Sequence, residues 1–358
     1  MERIIPLRTA LMTVSAALSG ILCVTPSVAL PQTEDRAAQA RLQEAQALVG
    51  LVYATLRGRV VPSERPFRWS NDFFKGENGN TYVPYTLTIE RAKLPTSTVA
   101  MYIFVTPRSQ AAQKLAGLPA VLETEEPQAP LAPETAFEAI SFIDLSTDHG
   151  QGAYRISRTF SLPAGNYDVY VALSPFAGTG TSPRRQVNSA AVMMIKQEVS
   201  VPDLWTTGLS TSTVVVAERV ETLKAPLMPE QQDLEPYTLG TTRIVPTHEA
   251  DFKKSDELAV IFFVYNEGLT AQGKPDISVE YRFYKRGGGG ETYFSKTAPQ
   301  QFNSQTLPAF DVAAGHQLVA GQAVSLRTFP EGAYRLEIQI TDKTNGATLT
   351  RGINFGVR

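Results

Sequence analysis

Between residues 33 and 57 the apolar positions recur at steps of three and four; beyond Gly58 they recur at steps of two. The first stretch, TEDRAAQARLQEAQALVGLVYATLR, sets Leu42, Ala45, Val49, Val52 and Leu56 on one stripe and predicts a helix. Thr33 is placed to cap it, Glu34 and Asp35 suit its positive end, and Gly58 is a stop. A helix with one greasy stripe must bury it, either by folding back on the first domain or by docking on a partner.

The period of two then predicts strands with one face on a core and one in water. Val83, Tyr85, Leu87 and Ile89 alternate with polar neighbours, as do Tyr154, Ile156 and Phe160, and then Tyr167, Val169, Val171 and Leu173. Further strands are expected near 99–106, 136–144 and 190–200, with a long loop over 109–135 that holds one short helix at Gln110–Leu118. In the second half Leu258–Tyr265 is a continuous apolar run suited to a central strand. Ile277–Phe283, a four-glycine link at Gly287–Gly290 and ETYFSK read as a hairpin. Tyr334–Ile340, the Asn345-Gly346 turn and Leu349–Val357 form the last pair.

Many short antiparallel strands with turns between them indicate an all-β fold of two β-sandwiches in tandem, preceded by the helix, and the turn Pro163-x-Gly165-x-Tyr167 makes them resemble immunoglobulin-like or transthyretin-like modules. One echo supports two similar halves. Pro163, Gly165 and Tyr167 in FSLPAGNYDVYVALS match Pro330, Gly332 and Tyr334 in RTFPEGAYRLEIQIT at a constant offset of 330 − 163 = 167. Pro fixes the turn, Gly allows a positive φ, and Tyr opens the buried face of the next strand.

The first residues change the picture of where this chain works. MERIIPLR carries two arginines, Thr9–Ala29 is uncharged and mostly apolar, and Ser27-Val28-Ala29 ends it with small residues. These are the three parts of a secretory signal. Leu22 before Cys23 does not fit lipid attachment. Cleavage after Ala29 removes the single Cys and leaves no thiol and no disulfide. The expected organisation is a signal peptide at 1–29, the helix at 30–58, and sandwiches at 59–202 and 203–358, in an exported protein, periplasmic or extracellular.

Composition narrows the chemistry. The 358 residues carry 33 Lys plus Arg against 35 Asp plus Glu, a net charge of −2, which gives no reason to bind nucleic acid. No apolar run in the mature chain approaches the ~20 residues of a membrane span. His149, His248 and His316 are far apart, and no pair has metal-ligand spacing. Asp144, Ser146 and Asp148 look like a metal-binding Asp-x-Ser-x-Ser, but a strand follows them where that site requires a helix, so a polar turn is the reading. Asp72, Glu77, Asn78 and Asn80 lack EF-hand spacing and read as a hairpin turn, as does DKTNG at 342–346. There is no nucleophile elbow and no phosphate loop. Trp69 and Trp205 suit sugar stacking or, more simply, a core.

LSTSTVVVAERV, LAVIFFVYN and FPEGAYRLEIQITDKTNG resemble the C-terminal sandwich of exported bacterial proteins that carry a GWxTD motif or a von Willebrand A domain, over about residues 209–357. The tetrad itself is absent: Leu204-Trp205-Thr206-Thr207-Gly208 does not match it. The resemblance implies fold and export and assigns no catalytic, cofactor or metal residue. The expectation is a non-enzymatic structural or protein-interaction protein of the cell envelope, without cofactor, whose partner is another envelope or secreted protein. The alternative is a carbohydrate- or ligand-binding sandwich, which an exposed aromatic row at Tyr82, Tyr170 and Tyr284 would favour. Oligomeric state is left open. Intact mass of envelope material should show a chain that begins at or near Leu30; a mass that retains Met1–Ala29 defeats the signal reading.

Overall fold

The computed structural model describes residues 32–58, 66–94, 96–108, 134–146, 152–176, 192–247 and 249–358. The signal segment with Cys23, the short helix expected at 110–118, Asp148, His149 and His248 lie outside the described residues. What is described is all-β: tandem β-sandwiches with a helix before them, as the period-two pattern leads one to expect. The chain divides into two compact units. The first gathers residues up to 70, then 86–157 and 165–201; the second gathers 71–85, 158–164 and 202–358. The short segments 71–85 and 158–164 thus cluster with the second unit, whereas a boundary at 202 assigns them to the first.

Helix α1 (Gln32–Leu56) ends at Gly58, whose φ of 67° and N–H donated to the Thr55 carbonyl at 2.9 Å close the last turn. Its buried face is Ala45, Leu48 and Val52. That corrects the expected stripe at one end: Leu42 is 58% exposed, while Leu48, which the stripe omitted, is fully buried. At 100° per residue Leu42 lies well to the side of the line through Leu48 and Val52.

The strands that follow are β1 (Arg68–Asn71), β2 (Phe74–Lys75), β3 (Thr81–Glu90), β4 (Thr98–Pro107), β5 (Phe137–Asp144), β6 (Ala153–Leu162), β7 (Gly165–Pro175) and β8 (Met193–Val201). They pair in the orders β5-β4-β7-β8 and β1-β3-β2, with β6 also on β3. In the first unit α1 lies on one face of the β5-β4-β7-β8 sheet. Leu48 and Val52 share a core with Ala100, Tyr102 and Phe104 of β4 and with Tyr170 and Ala172 of β7. The helix therefore folds back rather than standing free. Because it covers that face, β4 and β7 are buried on both sides, Val99, Met101, Ile103, Val169 and Val171 filling the other. The expected water-facing register of β7 is overturned there: Tyr170 is buried.

The second unit adds β9 (Ser210–Thr211), β10 (Val215–Thr222), the short helix α2 (Pro229–Gln232), β11 (Thr238–Leu239), β12 (Thr242–Pro246), β13 (Asp251–Phe252) and β14 (Glu257–Tyr265). β15 (Ile277–Gly287), β16 (Gly290–Lys296), β17 (Gln300–Phe302), β18 (Leu318–Ser325), β19 (Gly332–Asp342) and β20 (Thr348–Val357) complete it. One sheet runs β11-β12-β10-β14-β18 and the other β13-β20-β19-β15-β16. Their inner faces meet in one core from Leu258, Val260, Phe262 and Val264 on one side to Val279, Tyr281, Phe283, Tyr334, Leu336 and Ile338 on the other.

The echoed turn holds in both halves, with different reasons for its glycine. β7 and β19 each begin at that glycine, and Tyr167 and Tyr334 open their buried faces. Gly332 needs its φ of 144°. Gly165 instead leaves room for a ring, since a Cβ there would sit 3.3 Å from Tyr167. Tyr334 also donates its hydroxyl to the Pro330 carbonyl at 2.6 Å and is ringed by Phe294, Phe329 and Phe355 at 5.3–5.5 Å. Asp168 does not simply face water. Its side chain is 15% exposed and pairs with Arg108 at 3.1 Å and Lys196 at 2.8 Å. Denaturant unfolding should show a loss of roughly 3–5 kcal/mol for Tyr334→Ala. Asp168→Ala should cost about 1 kcal/mol, above an ordinary surface change, because Lys196 loses its carboxylate partner while Arg108 keeps its pair with Glu198.

Candidate functional site

The segment 71–85 is built as a hairpin. β2 pairs with β3, Phe74 opposite Tyr82 and Lys75 opposite Thr81. The tip Glu77-Asn78-Gly79-Asn80 has φ of 53° at Asn78 and 80° at Gly79, the mirror-image turn that Asn-Gly favours. Asn80 donates to the Glu77 carbonyl at 2.9 Å and Gly76 to the Asn80 carbonyl at 3.0 Å. The cluster at 72–80 is thus a turn, as its residues suggest.

Within the second unit this hairpin is tied down at almost every residue. Phe73 and Thr213 exchange two hydrogen bonds of 2.9 Å, backbone N–H to Thr213 Oγ1 and Thr213 N–H to the Phe73 carbonyl. The Lys75 N–H donates to the Tyr265 hydroxyl at 3.2 Å, and Thr81 Oγ1 to the Pro202 carbonyl at 2.8 Å. The Tyr82 hydroxyl donates to the Pro236 carbonyl at 2.9 Å, and Trp205 Nε1 to the Asn80 carbonyl at 2.9 Å. Asn266, at φ 58°, is the hub of one corner. Its Nδ2 donates to Leu204 and Gly208 carbonyls and to Ser210 Oγ, while its Oδ1 accepts from Lys75 Nζ at 2.9 Å.

These ties leave a cleft of about 550 Å³ whose walls include Lys75, Asn80, Tyr82, Gln232, Tyr265 and Gln317. Its lining is mostly amides, hydroxyls and aromatic rings. The Lys75 ammonium lies 4.4 Å over the ring of Trp205 and 5.8 Å over that of Tyr265. Trp205 is 44% exposed, so it is a surface ring and not a core one.

A second surface lies on β15, β16 and β19. Arg282 pairs with Glu280 at 2.7 Å and with Glu337 at 3.7 Å. Arg335 pairs with Glu291 at 2.8 Å and Glu337 at 2.9 Å, and its guanidinium sits 4.7 Å over Tyr284. Tyr284 meets Tyr293 edge-on at 6.0 Å, and Tyr293 is 58% exposed. Hydrogen bonds to their carboxylate partners raise the pKa of Arg282 and Arg335 from the ordinary guanidinium value.

The remaining sequence candidates separate. Asp144 accepts from the Ser146 N–H at 2.8 Å, which is a local turn and holds its carboxyl below the usual range. At 342–346 the fully buried Asp342 accepts from Gly268 N–H, Thr344 N–H, Thr344 Oγ1 and Asn345 Nδ2, and so anchors the turn. His316 accepts from the Asp311 N–H at 3.0 Å in an exposed loop. Among the described residues no three His, Cys, Asp or Glu side chains gather as a metal site. Tyr82, Tyr170 and Tyr284 do not form a row; they sit on three different sheets, and Tyr170 is under α1. Lys75, Tyr265, Asn266, Gln232 and Gln317 were not singled out by sequence, and no local pattern marks them, because segments as far apart as residues 75 and 317 bring them together.

No family model matches this chain, and no curated protein does. Among solved structures the chain is similar to Salmonella α-2-macroglobulin reacted with methylamine, at 12% identity over 83% of this chain, with a TM-score of 0.19. It is similar also to trypsin-activated α-2-macroglobulin from Escherichia coli, at 13% identity over 82% of this chain, with a TM-score of 0.20. It spans 17% and 16% of the lengths of those chains. No helix of the described residues is long and apolar enough to cross a membrane.

Asp72, where the hairpin begins, has a pH consequence. Burial raises its carboxyl from 3.8 to about 6, against the lowering effect of the Tyr237 hydroxyl, which donates to Oδ2 at 2.7 Å. The folded protein then keeps a proton that the unfolded chain has lost. Stability through this group is therefore greatest at low pH and falls as pH rises through about 6. Asn keeps an acceptor for Tyr237 without the charge. Asp72→Asn should melt above wild type at pH 7.5, by on the order of 3 kcal/mol at most, and the gap should close only as the pH falls to about 4 or below. Melting curves at the two pH values are the check.

Proposed function

We propose that this chain is an exported, non-enzymatic protein-interaction module of the cell envelope, periplasmic or extracellular, and that it contacts another envelope or secreted protein. The observation that carries this reading is the Tyr and Arg face on β15, β16 and β19. Tyr and Arg are the residues that dominate the energetics of protein interfaces, and side chains already held in place lose little freedom on binding. Here three carboxylates, Glu280, Glu291 and Glu337, fix the guanidinium groups in advance. Tyr293 stands exposed beside them as an anchor.

The second reading, a carbohydrate- or ligand-binding sandwich, is favoured by the cleft under the 71–85 hairpin. Capture from the envelope fraction distinguishes the first. The mature chain should recover a stoichiometric protein partner. Tyr293→Ala, at an exposed position, should abolish that recovery without lowering the melting temperature, since an anchor of this kind contributes about 2 kcal/mol or more to a complex. Recovery unchanged in Tyr293→Ala would defeat the assignment to this face.

A further inference from the structure

The cleft in the second unit deepens the carbohydrate- or ligand-binding reading, on which this inference rests, and is independent of the protein-partner reading. Its walls hold two groups with hydrogen-bond donor capacity left over, an ammonium and a phenol. Lys75 Nζ donates to Asn266 Oδ1, and among the described residues no carboxylate lies within ion-pair distance of it. The Tyr265 hydroxyl accepts from the Lys75 N–H, but its own proton has no acceptor among the described residues, although the residue is 5% exposed. Burial raises the Tyr265 pKa, so the group stays a phenol and remains a donor. An ammonium and a phenol on one wall match an anionic oxygen, with the charge-assisted bonds that a carboxylate makes. The carboxylates nearby do not fill that place. Glu77 is exposed at the hairpin tip, and Glu267 is partly buried, where burial raises its pKa more than the Lys75 ammonium lowers it.

The rest of the cleft argues for what the carboxylate is attached to. Asn80 and Gln317 offer amides that suit hydroxyl groups, and the rings of Phe74, Tyr82 and Tyr265 stand among them, a mixture of polar groups and flat rings that suits a saccharide. Trp205, fixed by its bond to Asn80 and by the Lys75 ammonium, presents a rigid half-exposed ring at the same corner. We infer that the cleft binds a saccharide that carries a carboxylate, with Lys75 and Tyr265 donating to the carboxylate and the amides to the hydroxyls.

The chain contains two tryptophans, so Trp69→Phe leaves Trp205 as the sole reporter. Its fluorescence is titrated with trigalacturonic acid, with neutral maltotriose and with trialanine. The acidic trisaccharide should give a saturable change, about tenfold weaker in both Lys75→Gln and Tyr265→Phe, and weaker at high salt. Maltotriose should bind at least about tenfold less tightly than the acid in the unaltered cleft, a comparison that stands even if Tyr265→Phe fails to fold. The inference is overturned by no saturable response below about 10 mM. It is overturned equally by unchanged affinity in Lys75→Gln, by maltotriose binding as tightly as the acid, or by trialanine binding as tightly, which would make the cleft a peptide site.

Discussion

The second unit depends on a hairpin borrowed from early in the chain. Residues 71–85 bring Phe74 into a core with Leu204, Val215, Tyr237, Phe263 and Tyr265. The ring of Phe74 meets those of Tyr237 and Phe263 edge-on at 6.5 and 5.8 Å. Apolar burial alone has no direction. The reciprocal bonds between Phe73 and Thr213 supply it, and they set which side of β2 turns inward. With the register set, Lys75 must point to the opposite side from Phe74, and the type of turn at Asn78-Gly79 places Asn80 beneath Trp205. The cleft is a consequence of that one register.

Asn266 shows how such a corner is held. A non-glycine residue at φ 58° is strained, and Asn bears it better than most. Its amide compensates by binding three groups of the 204–210 loop and the Lys75 ammonium. A side chain without both a donor and an acceptor in one plane could not do this. The same logic recurs at Asp342, where one buried carboxylate gathers four donors to close a turn. Polar groups in this fold are spent on loops, and rings are spent on the core.

Much of the fold was legible because strand alternation is local. β4, β5, β8, β15, β19 and β20 fall where the period of two placed them, and β14 where the continuous apolar run did, within a few residues. The Pro-x-Gly-x-Tyr echo was legible as well, though its reason was only half right, since Gly165 serves the Tyr167 ring and not a positive φ. What failed had a shared cause. Tyr170 on β7 looks water-facing by alternation, and only the position of α1 decides otherwise. Leu42 and Leu48 changed places because a loose apolar stripe on a helix does not say where its centre lies. The cleft was not legible at all. Lys75, Gln232, Tyr265 and Gln317 have unremarkable neighbours in sequence, and the bonds that join the hairpin to the rest of the cleft, Lys75 to Tyr265 and Trp205 to Asn80, span more than a hundred residues.

The sheet edges bear on which surfaces are left for binding. Among the described residues β18 pairs only with β14, and LVAGQAVS has no charge or proline to blunt an edge. Such a strand would ordinarily invite another chain to pair with it. Phe263 exchanges its backbone bonds with Ser212 on the far side of β14, as donor to Ser212 Oγ and acceptor from the Ser212 N–H. Ile261 faces the same way by alternation, so its partner Gly321 turns its N–H and carbonyl outward. Gln300 meets that carbonyl with Nε2 at 2.7 Å, and Tyr281 holds Gln300 by donating to its Oε1 at 3.0 Å. A strand adding to β18 would have to displace an amide that the core tyrosine keeps in place. With that edge capped by a side chain of the opposite sheet, recognition by this unit falls to its faces and its loops, which is where the Tyr and Arg surface and the cleft are found.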